Sequence, residues 1–158
     1  MIMDERQFLQ QLAEHEGILF KICRLYRDTP EDREDLFQEI MYQLWKSLPG
    51  YEARSKFSTW LYKIALSTAL VHFRRRRPAI VYMPALPEVP AQADENRLLE
   101  LLAPLDAADK ALMALYLEDL SYAEIAEITG ITENNVGVRL NRIRARIKKH
   151  INASSWKN

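Results

Sequence analysis

Between positions 133 and 149 the chain reads ENNVGVRLNRIRARIKK, with three asparagines, six cations and no acid after Glu133. Asparagine can pair with the edge of adenine, and arginine with guanine or with phosphate, when the start of a helix enters a major groove. With Val136 and Leu140 assigned to the core, Glu133, Asn134, Asn135, Gly137, Val138, Arg139, Asn141 and Arg142 remain facing outward. Arg144, Arg146, Lys148 and Lys149 extend the positive run along a phosphate track. If Arg139 reads a base, Arg139→Ala should cost ~1–3 kcal/mol of affinity. A solvated basic helix is the competing reading, and the charge run alone would fit it.

The residues upstream decide between them. Ala126, Gly130 and Val136 stand at the spacing A-x3-G-x5-V. Two helices that cross closely need a small residue such as Ala126. The turn between them needs a positive φ, which Gly130 adopts cheaply. Val136 then seats the second helix on the first, with Ile125, Ile128, Ile131 and Leu140 completing a small core. This pattern predicts a helix-turn-helix.

A second set lies in KFSTWLYKIALSTALVHFRRRR, where aromatics at 57, 60, 62 and 73 interleave with basic residues. Stacking a base on such a ring is worth ~1–3 kcal/mol, so the composition suits single-stranded nucleic acid. The rings have a competing use, because Trp60, Ile64 and Phe73 also fall on an apolar helix face.

Groups suited to catalysis or metal binding are poorly arranged. Asp28, Glu31, Asp32, Asp35 and Glu39 share a helix face and could hold a divalent ion. Acids near a helix start are also stabilising by themselves, by ~0.3–1 kcal/mol each. His15, His72 and His150 form no i, i+4 ligand pair. There is no phosphate-binding glycine loop, HExxH or nucleophile elbow. No catalytic activity, cofactor or metal is expected. Cys23, the one cysteine, sits among Ile18, Leu19, Ile22 and Leu25 and reads as core in a reducing compartment.

The elements that position these groups are helical throughout. Phe8, Leu9, Leu12, Ile18, Leu19, Ile22, Leu25 and Tyr26 mark a first helix or helix pair. Thr29-Pro30 starts the next, with a capping hydroxyl and then proline at the first helical position. Leu36, Phe37, Ile40, Met41, Leu44 and Trp45 form its buried face up to Pro49-Gly50. A loop of residues 49–56 leads to a helix over 58–77, with Trp60, Leu61, Ile64, Ala65, Ala69, Leu70 and Phe73 inward. Residues 78–94 hold four of the seven prolines and no basic residue, the composition of a linker; a strand at AIVYM is the alternative. Helices follow at 95–103, 106–118, 121–129 and 132–151, capped by Asp106, by the box Ser121 to Glu124, and by Thr132. The predicted fold is all-α, with two small helical domains at 1–77 and 95–152, a Pro-rich linker and a tail at 153–158.

Net charge is zero but segregated: residues 79–120 carry two basic and eight acidic side chains, whereas 139–149 carry six basic ones. That points to an anionic partner for the basic part. The N-terminus lacks the apolar stretch of a signal peptide. The longest apolar run, ALMALYL, falls far short of the ~20 residues of a membrane span, so a cytoplasmic protein without membrane insertion is expected.

Taken in order, DREDLFQEIMYQLWKSL, FSTWLYKIALSTALVHFRRRR and LSYAEIAEITGITENNVGVRLNRIRARIKK resemble regions 2 and 4 of the extracytoplasmic-function bacterial sigma factors, over about residues 5–150. The resemblance implies a promoter-specificity subunit that binds core RNA polymerase and opens promoter DNA. Asp35, Leu36, Gln38, Glu39, Gln43 and Trp45 would dock on the clamp helices of the largest subunit, with the flap a further polymerase contact. Tyr51, Arg54, Lys56, Phe57, Trp60, Tyr62, Lys63, Ser67, His72, Arg74, Arg75 and Arg76 would open and read the minus-ten element. The stretch from Asn134 to Arg142 would read the minus-thirty-five element, and an anti-sigma protein is the usual regulator. Many relatives carry Asn in place of Ser67, Asp in place of Val71 and Lys in place of Gly137, so the family's promoter sequence does not transfer. Gly137 would let the backbone approach DNA, at ~1 kcal/mol of helix propensity.

Reach supports two sites. A compact chain of this length has a radius of gyration of ~15 Å, whereas two promoter elements lie about two duplex turns apart, each ~34–36 Å. A tether over 78–94 spans ~55–60 Å when extended. Two rivals stay open: a ligand-sensing or dimerising helix-turn-helix regulator that binds palindromes, and a polymerase-binding decoy that never reads DNA.

Overall fold

Helix starts are where the sequence is most explicit, and the computed structural model, which describes residues 3–71 and 93–155, begins with one. The Gln7 amide donates to Asp4 Oδ1 at 2.8 Å and Gln7 Oε1 accepts from the Asp4 amide at 3.1 Å, a reciprocal cap that opens α1 (Glu5–Glu14). The stripe expected on one helix or a pair resolves into a pair, α1 and α2 (Glu16–Tyr26). The break sits at His15, whose backbone N–H turns to the Leu12 carbonyl. Its ring Nδ1 takes over the Gln11 carbonyl at 2.8 Å, the acceptor a continuing helix would have used. Phe8 and Leu12 of α1 and Leu19, Phe20, Ile22, Cys23 and Leu25 of α2 are buried, whereas Leu9 is exposed.

Thr29 caps α3 (Pro30–Ser47) by accepting from the Asp32 amide, with Pro30 in the first turn. Leu36, Phe37, Ile40, Met41 and Leu44 are buried as their spacing predicts, but Trp45 is 43% exposed. A 3-10 turn over Leu48–Gly50 ends the helix. A loop with Ala53 at φ 55 leads to α4 (Phe57–Val71). That helix packs on both α2 and α3, so its buried arc is wide: Phe57, Thr59, Leu61, Tyr62, Ala65, Leu66 and Ala69 are all inside. The predicted continuation of α4 to residue 77 and the segment read as a linker fall largely outside the described residues.

Arg27, just past α2, is buried. Its guanidinium donates to the carbonyls of Tyr26 at 2.7 Å and Ala69 at 3.5 Å, while its own carbonyl accepts from Arg33 Nε at 3.1 Å. Burial lowers its pKa, with Cys23 and Asp32 pulling the other way.

The chain divides into two compact units, Met1–Pro90 and Ala91–Asn158. The second holds α5 (Ala93–Leu102), α6 (Ala107–Leu117), α7 (Tyr122–Thr129) and α8 (Glu133–Ser155). Asp106 caps α6 through the Asp109 amide, Ser121 and Glu124 form the expected box on α7, and Thr132 Oγ1 accepts from the Asn135 amide at the start of α8. Gly130 has φ 79, and its N–H closes onto the Ala126 carbonyl at 2.8 Å. At eight residues α7 is too short to hold by itself, so its caps and its packing on α6 and α8 sustain it. Ile125, Ile128, Val136, Leu140 and Ile143 are buried at that junction with Leu112 and Leu115 of α6. Among the described residues every element is helical, as predicted.

Candidate nucleic-acid interface

The inner face of α8 is set by Val136, Leu140 and Ile143, each at most 1% exposed. At 100° per residue the opposite face carries Asn134, Val138, Asn141, Arg142, Ala145 and Lys149, and all six are exposed. Asn135 and Glu133 are exposed at its start. Amide groups, one arginine and the apolar Val138 thus stand together near the helix N-terminus, a combination able to meet base edges and a thymine methyl in a major groove.

Three of the six cations in the basic run have partners on α6 instead. Arg139 Nη2 lies 3.0 Å from Asp109 Oδ1, and Arg146 Nη1 lies 3.5 Å from Oδ2 of the same carboxylate. Arg144 stacks its guanidinium over the ring of Tyr116, 4.2 Å from the centroid. Arg142, Lys148 and Lys149 keep exposed positions. Asp109, Tyr116 and Tyr122 are residues that sequence reasoning missed. Asp109 and Tyr116 lie on α6, and Tyr122 opens the helix just before α8; no local spacing announces the contacts.

Gly137 also has a nearer neighbour than DNA. A Cβ there would stand 3.3 Å from Tyr122 Cε2, so the glycine makes room for that ring on α7.

In the first unit, Asp35, Gln38, Glu39, Tyr42, Gln43 and Lys46 follow one another at helical spacing along the outer side of α3, and none is buried. Gln43 Nε2 donates to Glu39 Oε1 at 3.2 Å, and Lys46 Nζ sits 6.0 Å from the Tyr42 ring. Leu36, expected in the same set, is fully buried. Trp45 flanks the strip with its ring edge-on to Phe8.

The rings expected to meet unstacked bases are largely packed against one another. Tyr51, Phe57 and Tyr62 are each 7% exposed. Tyr51 lies 4.9 Å from Trp60, and Phe57 lies 5.5 Å from it, centroid to centroid. Trp60 keeps partial exposure and shares an outer face of α4 with Lys63, Ser67, Leu70 and Val71. The Ser67 hydroxyl donates to the Lys63 carbonyl at 2.6 Å. Arg54 and Lys56 are exposed in the preceding loop, with Arg54 paired to Glu52 at 2.9 Å. His72, Arg74, Arg75 and Arg76 lie outside the described residues.

Among the described residues, no group of three His, Cys, Asp or Glu side chains is placed to hold a metal ion, and no helix is long and apolar enough to cross a membrane.

A helical unit with a polar outer strip, followed by a second unit carrying a helix-turn-helix, defines a modular DNA-reading protein. Comparison with known proteins specifies which. Residues 12–79 match Sigma-70 region 2, and residues 95–147 match Sigma-70, region 4. The ECF RNA polymerase sigma factor SigW of Bacillus subtilis is 23% identical, aligned over 94% of this chain and 90% of its own. The RNA polymerase sigma factor CnrH of Cupriavidus metallidurans is 25% identical over 98% and 91%. Among solved structures, CnrH in complex with the cytosolic domain of CnrY superposes with a TM-score of 0.72 at 23% identity, covering 95% of this chain and 90% of that one. The sigma factor RpoE of Bartonella quintana, in complex with the anti-sigma factor NepR, gives 0.72 at 19% identity over 93% and 98%. The chain belongs to the sigma-70 family, in its extracytoplasmic-function group, and is a promoter-recognition subunit of RNA polymerase.

Proposed function

We propose that the outward face of α8 reads the minus-thirty-five element through Asn134, Asn135, Val138, Asn141 and Arg142. One observation carries this reading: Asn134, Val138, Asn141 and Arg142 stand opposite the buried Val136, Leu140 and Ile143, with Asn135 exposed beside them at the helix start, so seating α8 on its unit leaves them facing out. Lys148 and Lys149 extend the contact along the phosphates.

The strip Asp35, Gln38, Glu39 and Gln43, flanked by Trp45, docks on the clamp helices of the polymerase, with Leu36 fixing the helix from beneath. Trp60, Lys63 and Ser67 on α4, with Arg54 and Lys56 in the loop before it, meet the minus-ten element. Tyr51, Phe57 and Tyr62 support that surface from inside rather than offering their own faces. The chain carries no chemistry of its own, and the polymerase supplies catalysis. The two superposed sigma factors were each solved with a bound protein, the cytosolic domain of CnrY or the anti-sigma factor NepR, and an anti-sigma protein that masks these surfaces is the expected regulator here.

In vitro transcription with core polymerase across a promoter library tests the assignment. Start-site selection that depends on the chain, and that changes in an Asn141→Ala, Arg142→Ala variant, supports it. Identical selection by that variant removes the α8 reading.

A further inference from the structure

We propose that Asp109 is a specificity-determining positioning residue: it withholds Arg139 and Arg146 from the charge that the second unit presents to DNA. The inference deepens the α8 reading above and rests on it. Asp109 lies in the first turn of α6, where the helix dipole favours an anion. Its amide is fixed by Asp106 Oδ1 at 2.8 Å. The side chain is only 11% exposed, and its two oxygens face two different arginines, Arg139 at 3.0 Å and Arg146 at 3.5 Å. Seven residues separate those arginines along α8, about two turns or ~10 Å of rise. One carboxylate thus clips the flank of the helix at two levels, beside the face that carries Asn141 and Arg142.

Two consequences follow from this geometry. The clip fixes the roll of α8 about its axis, so that the amides and Arg142 meet the groove in one register. It also removes cations from the sequence-independent part of binding. Phosphate contacts raise affinity for all DNA equally, and discrimination is the ratio of specific to non-specific binding. An arginine engaged by a shielded carboxylate gains less by moving to a phosphate than a free one does. Holding two of them lowers the background against which Asn134, Asn141 and Arg142 select.

The test uses holoenzyme assembled from the full chain and core polymerase, bound to a promoter duplex and to a scrambled duplex over ~50–200 mM salt. Asp109→Asn releases both arginines, so binding to scrambled DNA should tighten and its log–log salt slope should steepen by ~1–2, at about 0.9 per phosphate gained. The preference for the promoter duplex should fall. Arg146 is 67% exposed, so Arg146→Ala does not threaten folding. In the native chain it should move the slope by well under one, and in the Asp109→Asn chain it should reduce the slope by ~0.9. An unchanged slope in Asp109→Asn, or a full ~0.9 loss from Arg146→Ala in the native chain, overturns the proposal. Should unmodified holoenzyme show no promoter preference, the α8 reading fails, while the slopes still report whether Asp109 withholds charge.

Discussion

The ring of Tyr122 rests against Gly137, so close that a Cβ on the glycine would come within 3.3 Å of Cε2. Glycine inside a helix costs ~1 kcal/mol relative to alanine, and here the cost coincides with an aromatic ring seated on α8. Tyr122 is 37% exposed, so its ring can yield by a few tenths of an ångström. We expect Gly137→Ala to stabilise the second unit by up to ~1 kcal/mol, seen as a higher Tm. A lower Tm would show that the ring cannot move.

Arginines 139 and 142 are three residues apart yet differently employed. Arg142 is exposed on the outer face, and Arg142→Ala should reduce promoter affinity by ~1–3 kcal/mol if it reads a base. Arg139→Ala should chiefly reduce stability, by ~1–3 kcal/mol, because the shielded Asp109 carboxylate loses its shorter contact. Chemical denaturation beside duplex binding separates the two, and equal loss of affinity in both variants would contradict the division.

Asp35 and Glu39 lie well inside α3, past its first turn, and neither is buried. Replacing both with lysine should therefore leave the helix folded while reversing the charge of the strip proposed for docking. A pulldown should show weakened retention on core polymerase, and circular dichroism should be unaltered. Undiminished retention would remove the strip from the docking surface.

Gly130 holds φ 79 between α7 and α8. An L side chain there costs roughly 1–2 kcal/mol, so Gly130→Ala should lower the stability of the second unit by that amount, measured by thermal unfolding. The first unit should keep its own transition. An unchanged melting profile would mean that the turn tolerates a second geometry.

Caps and turns were legible because they are local. Thr29 before Pro30, Ser121 before Glu124 and Gly130 after Thr129 each act on groups within four residues, so the sequence carries both partners of the contact together. The all-α reading and the core of the helix-turn-helix followed from periodicity for the same reason. The pairing of Asp109 with Arg139 spans thirty residues, and no spacing rule connects them. Tyr62 read as a ring free to stack because periodicity assumes one buried face, whereas α4 packs on two neighbours and buries a wider arc. Trp45 erred the other way: it stands at the margin of the α3 face and remains 43% exposed. The break at His15 was hidden because a side chain there replaces its own backbone as a donor, with no proline or glycine at that position to signal it.

Arg27 bonds the last carbonyl of α2 and a carbonyl near the end of α4, and its own carbonyl is held by Arg33 of α3. A forked, planar head spreads its donors over three nitrogens and so reaches two such oxygens in different directions, whereas lysine gathers its donors on one nitrogen. The geometry of the head group therefore matters at this position as well as its charge. A lysine here would keep the net charge of the protein and still unfasten the knot where three helices meet.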